Sequence, residues 1–456
     1  MTTTRPVRPG AITAVVLCGA VLGPLNSTMI AVALPPMASD LRVDAATMSW
    51  LVTAYLITMA ALQPVAGKLG DRLGPRPVLL TGYALFFLAS ALAAFVHSLP
   101  LLVACRVAQA VAGALLAPTG LALLRRCAPP DRLGRAFGVV GAVLPLAAAV
   151  GPVLGGVLVE FGGWPAIFLV NLPVTLFALV LGWWVVPHAA RRDGGGGFDV
   201  VGAGGLCALL VGLTVLLDTA PGGAVLVVAC LVLALATWAF VRHERRHPDA
   251  VLPPRLFTRR SFVAAAAGIG LSNLAFYVTL LAVPLLLHDR GIDGAQAGLV
   301  LGALTLASSP LAVLGGRLAD RAGLRLPAVT GLVLVLAGLV PLVLDPSGVP
   351  LPLLVAALAV MGAGVGLSMP PFQLGALHDV AQHDTGMATG VFFTSRYLGS
   401  VAGASLLAGP LAPTSAGAET LLFGVLAVAA ALGVAAAATL PGRTAEAPGP
   451  QRRGVA

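Results

Sequence analysis

The chain has 456 residues, of which 58% are hydrophobic and only 10% charged, with a formal net charge of +9. A soluble domain carries about 25% charged residues, so this composition cannot build a water-facing surface and most of the exterior must face lipid. The positive balance does not signal nucleic acid, because the basic residues sit in short loops between apolar runs and form no continuous face.

A membrane span needs about 20 mainly apolar residues. Fourteen segments qualify in chain order, approximately 11–36, 47–66, 78–96, 101–124, 136–159, 164–186, 199–217, 223–241, 262–287, 294–314, 327–344, 351–374, 386–410 and 418–440. The first follows MTTTRPVRPG, and its apolar run, Ala11–Met37, is too long for a signal peptide. With the N-terminus placed in the cytoplasm, 23 of the 27 Lys and Arg residues fall in inside loops and only Arg42 and Arg290 fall outside. A missed or invented span would scramble that sorting, so the bias predicts an inner-membrane protein with both termini cytoplasmic. The five Cys have no metal or redox spacing and are expected to be free thiols.

The loop after the second span, GKLGDRLGPR (Gly67–Arg76), returns after the tenth as GRLADRAGLR (Gly316–Arg325), offset by 249 residues. A second echo pairs Gly134, Ala136, Gly138 and Val139 with Gly386, Ala388, Gly390 and Val391, offset by 252. The expected fold is therefore all-α: fourteen transmembrane helices, as two parallel six-helix repeats (1–190 and 248–456) with two helices inserted between them (191–247). Parallel repeats meet at an axis along the membrane normal, and substrates bind between them near the midplane.

These residues carry a resemblance. GKLGDRLGPR resembles the signature loop of the major facilitator superfamily, and LNSTMIAVALP (Leu25–Pro35) resembles the first-span motif of its fourteen-helix drug:proton antiporter branch. Arg106 and Gln109 match the R-x-x-Q-G motif of the fourth span, with Ala110 in the Gly position. GPVLGG (Gly151–Gly156) matches the antiporter motif of the fifth, where Gly138 is kept and Ala147 replaces a usual Gly, and GWPAIFLVNLP (Gly163–Pro173) resembles the stretch that follows. The resemblance implies a secondary carrier, with efflux of amphiphilic or lipophilic compounds by alternating access and coupling to protons. It also implies an Asp where this chain has Asn26, which cannot titrate. A facilitative or uptake carrier without antiport is therefore the alternative.

Three groups of candidate residues follow. Gly67, Asp71, Arg72, Gly74 and Arg76, with Asp320 and Arg321, are expected to latch the cytoplasmic side; the plain reading is solvated loops obeying the charge bias. Gly151, Pro152, Gly155 and Gly156 are expected to bend a helix at a sliding contact, against ordinary small-residue packing. Asn26, Trp50, Tyr55, Gln63, Gln109, Asn273, Tyr277 and Gln373 are polar or amphipathic groups in spans, and Arg106 and Arg396 are the charges there. They are expected to line a mostly apolar substrate cavity, against simple helix–helix bonding. No acid lies in the middle of a span, so Glu160, Asp218, His378 and Asp379 are the only, poorly placed, proton carriers. An enzyme is not expected, since H-E-x-x-H and G-x-S-x-G are absent. The single Lys, Lys68, is followed by Leu69, so no nucleotide-binding loop exists. The expected partners are a small-molecule substrate, with protons left open, and the lipid bilayer. No cofactor, metal or nucleic acid is expected, and the chain is expected to act as a monomer.

Overall fold

A computed structural model describes residues 9–43, 45–48, 50–129, 132–187, 199–219, 223–247, 250–252, 254–292, 294–408 and 416–442. Arg5, Arg8, Arg191, Arg192, Arg443, Arg452 and Arg453, counted above as inside charges, lie outside the described residues, and so does the side chain of Asp218.

Helices occupy each expected segment. They are α1 (Pro9–Leu41), α2 (Trp50–Leu73), α3 (Pro75–Ala93), α4 (Leu99–Cys127), α5 (Leu133–Gly162), α6 (Asn171–Val185), α7 (Val200–Thr219), α8 (Gly223–Arg246), α9 (Arg260–Asp289), α10 (Gly294–Ala322), α11 (Arg325–Leu344), α12 (Leu351–Leu377), α13 (Thr385–Ala408) and α14 (Ala416–Ala438). The short helix Ala166–Leu169 leads into α6, and no strand occurs among the described residues. Among the described residues, twelve of these helices are long and apolar enough to cross a membrane, rather than the fourteen expected. The described part of α7 offers a shorter apolar stretch, Val200–Leu213. In α13 the polar side chains Thr389, Thr394, Ser395 and Arg396 interrupt the apolar run, because that helix packs against α2, α9 and α4 instead of presenting a face to lipid.

The helices fall into two sets. α1 packs on α4, α5 and α6, and α3 on α4 and α6; α9 packs on α12, α13 and α14, and α11 on α12 and α14. The sets meet where α2 crosses α13 and where α5 crosses α10. Between them in sequence, α7 leans on α2 and α13, and α8 on α7. Outward-facing Val225, Val228, Leu231, Val232, Leu235 and Trp238 leave α8 the barest of the helices, a surface that only lipid tolerates over such an area. Each copy of the repeated loop closes on a glycine in the left-handed region, Gly74 at φ 89° and Gly323 at φ 82°, which a residue with a Cβ adopts only at a cost. All five cysteines are free.

Candidate functional site

The repeated loop places one carboxylate in each half at the start of a helix in the other. The N–H groups of Gly386 and Met387, in the first turn of α13, donate to Asp71 Oδ1 and Oδ2 at 2.9 and 2.8 Å. The N–H groups of Gly134 and Arg135, in the first turn of α5, donate to Asp320 Oδ1 and Oδ2 at 2.6 and 2.9 Å. A helix start leaves N–H groups without intrahelical partners and carries a partial positive charge. Arg132, at the cap position of α5, makes no side-chain capping bond to that helix, and the acid of the opposite half takes that role. Arg126 adds a charge contact to Asp71 at 3.6 Å.

Glycines make the approach close enough. A Cβ on Gly67 would sit 2.0 Å from the Gly386 carbonyl oxygen, and one on Gly386 2.4 Å from that of Gly67. Gly316 and Gly134 repeat the pair, at 2.1 and 2.3 Å. Backbone therefore lies on backbone at both crossings. Arg125, which the sequence offered only as one more loop charge, also spans the halves. It donates to Thr385 Oγ1 at 2.8 Å and to the carbonyls of Leu377 and Val380 at 2.8 and 3.1 Å. All these contacts lie at one end of the bundle, the Arg-rich end.

Arg76 and its counterpart bond within their own halves. Arg76 binds the carbonyls of Trp183 and Val186, at the end of α6, and lies over the Trp183 ring. Arg325, its counterpart, binds the Leu440 carbonyl beyond α14. Both cap a helix C-terminus inside their own half. Arg321 is exposed beside Asp320.

Gly151 and Gly155 of the helix-bend group pack on α1. A Cβ on Gly151 would lie 1.8 Å from Thr28 Oγ1, and one on Gly155 3.1 Å from Met29 Cα. Pro152 is exposed and Gly156 has nothing within 4 Å, so half of that motif shapes a helix contact and half does not.

At mid-height, Asn26, Arg106 and Gln109 form one buried network. Asn26 Nδ2 and Arg106 Nη1 both donate to Gln109 Oε1, at 3.2 and 3.0 Å, and Gln109 Nε2 donates to Ser90 Oγ at 2.8 Å. Arg106 Nε donates to the Leu51 carbonyl at 3.2 Å, and its guanidinium lies 4.2 Å over the Tyr55 ring. Arg106 is wholly buried, so it does not reach out to the interface. Across the interface, Asn273 donates to the Arg396 carbonyl at 3.0 Å and to Ser400 Oγ, and Arg396 Nε donates to Asn273 Oδ1 at 3.3 Å. Tyr397 packs against the first-half cluster that holds Tyr55 and Met59, joining the halves, and Tyr277 lies within electrostatic reach of it. Gln63 and Gln373 are buried with neither amide atom hydrogen-bonded. Trp50 is apart from the rest, 52% exposed at the start of α2. Ser90, which anchors Gln109, carries no signal beyond being a polar residue in an apolar run.

The Major Facilitator Superfamily model matches residues 16–404, and again 265–455. The uncharacterized MFS-type transporter YvkA of Bacillus subtilis is 32% identical, over 86% of this chain and 88% of that protein. The multidrug efflux pump LfrA of Mycolicibacterium smegmatis is 32% identical, over 89% and 81%. Among solved structures, the proton:xylose symporter XylE superposes with a TM-score of 0.68 over 93% of this chain and 94% of that one, at 15% identity, a likeness of fold alone.

Proposed function

Because the chain belongs to the major facilitator superfamily, and so is a membrane transporter and not an enzyme, we propose that it exports small amphiphilic or lipophilic compounds by alternating access. The observation that carries this reading is the reciprocal clasp of Asp71 and Asp320. Every bond in it joins one half to the other, so it can open without disturbing the interior of either half. The positive-inside bias assigns the Arg-rich end to the cytoplasm, and the clasped form is then closed on that side. On the same bias we read α7 and α13 as crossing the membrane too, which gives fourteen spans and the two-repeat organisation with an inserted pair. Similarity to a multidrug efflux pump supports the outward direction. Energy then comes from an ion gradient or from the substrate's own gradient, and the proton is the first ion to test.

Asn26 keeps a second reading in play. It sits in the buried network as an uncharged donor, so a facilitative carrier fits that position equally well. Proteoliposomes given fluorescein and rhodamine 123, with and without an imposed proton gradient, separate the two, with protein-free liposomes as the blank. Gradient-driven movement by the native chain is the expected result. Passive equilibration by the native chain, with gradient-driven movement appearing only in Asn26→Asp, would replace the exporter with a facilitator.

A further inference from the structure

Away from the clasped end, the described interior of the bundle holds two guanidinium groups, Arg106 in the first half and Arg396 in the second, and no carboxylate beside them. Every Asp or Glu within the fourteen helices lies within four residues of a helix end, whereas Arg106 and Arg396 sit mid-helix. Arg106 meets only neutral partners, Gln109, Leu51 and the Tyr55 ring. Its Nη2 and Asn26 Oδ1 of the same network make no hydrogen bond. Arg396 is only partly buried, and its side-chain partner is the neutral amide of Asn273. Arg stays protonated in any protein environment. Two such charges in a low-dielectric interior create a field of one sign that neutral amides do not cancel.

We propose that the transported compound is an anion, a carboxylate or phenolate on a lipophilic aromatic body, drawn between the halves by Arg396 with Arg106 behind it. Arg396 makes the contact, since it is the accessible guanidinium and its planar fork suits a carboxylate. Arg106 is a positioning residue that sets the potential from behind the Tyr55 ring. Tyr55 and Met59, with Leu56, Leu62 and Tyr397 packed against them, form an aromatic and apolar cluster beside Arg106. Asn26 matters because of the charge it lacks. An Asp there, within the same hydrogen-bond network, would neutralise Arg106 and spend the field internally.

This inference rests on the carrier reading, and fluorescein and rhodamine 123, two dyes on one ring system with opposite charge, separate the failure of one from the failure of the other. The expected result in proteoliposomes is at least tenfold faster carriage of fluorescein. Arg396→Gln is expected to lower the fluorescein rate at least tenfold, Arg396→Lys to restore only part of it because the charge returns without the planar fork, and Asn26→Asp to reduce the preference for fluorescein over rhodamine 123. A merely structural Arg396 would depress both dyes alike. Preference for rhodamine 123, or a fluorescein rate untouched by Arg396→Gln, overturns the anion assignment and leaves the carrier standing. Movement of neither dye by the native chain overturns both.

Discussion

Asp71 and Asp320 each accept two backbone N–H bonds from the opposite half, and a hydrogen bond contributes about 1 kcal/mol net. Asp71→Ala is therefore expected to weaken the closed state by about 2 kcal/mol, a shift of roughly thirtyfold in the open-to-closed ratio. Spin labels at exposed positions 135 and 379, one in each half, would read that as a longer distance population in the variant. An unchanged distance distribution would mean that the carboxylate holds nothing shut. The sequence exposed these two acids through the repeated loop, and the second echo already contained their partners, Gly134 and Gly386. What it did not reveal was that the echoes meet crosswise, because a one-dimensional repeat carries no information about which copy faces which. Arg76 and Arg325 were equally visible as a repeat, yet they serve their own halves. Their distinction from Asp71 and Asp320 depends on side-chain direction alone. Arg106 was legible as a charge in a span, but its wholly buried setting depends on Tyr55 and Leu51, a helix away.

At the scale of helices, the crossings depend on residues with no side chain. Gly386→Ala would force α13 off α2, since the added carbon meets a backbone carbonyl that cannot rotate aside. Overpacking of this kind costs about 1–3 kcal/mol, here charged to the closed state, and the same spin-label pair should report opening. Gly156→Ala, with open space around it, is the matched control and is expected to leave thermal stability and the distance distribution unchanged. A loss in Gly156→Ala equal to that in Gly386→Ala would show that helix propensity and not contact distance decides. The inserted helices have their own fastening. The N–H of Gly202 donates to Asp199 at 2.7 Å, and His243 Nε2 lies 2.9 Å from the same carboxylate. Burial pushes the Asp199 carboxyl up, but those bonds and the nearby His243 and His247 outweigh it and hold it below the ordinary value. A depressed carboxyl contributes stability that is present above the ordinary Asp range, near pH 4, and lost as the pH falls through its lowered value. Asp199→Asn is therefore expected to lower the melting temperature at neutral pH and to flatten its decline in acid. A decline as steep as in the native chain would assign the acid sensitivity elsewhere.

Across the whole molecule, the two clasps lie in separate crossings with no shared residue, so their effects should add. The double variant Asp71→Ala/Asp320→Ala is expected to shift the open-to-closed ratio by the product of the single shifts, measured on the same labels. The large-scale fold was readable because lipid leaves so few options. Runs of apolar residues had to be helices, and the Arg bias ordered them. The count of qualifying spans was less secure, because α13 spends its polar side chains on neighbouring helices and reads as weakly apolar for that reason. The reciprocal clasp has a consequence for origin. Where one residue of a first half grips a second half, and its counterpart returns the grip, the contact has the form of a two-fold interface between identical subunits. A chain of half this length, paired with itself, would already possess both clasps. The covalent link between the halves adds nothing to the clasps; it leaves each half free to diverge, and Arg106 and Arg396 stand in unlike surroundings, one in each half.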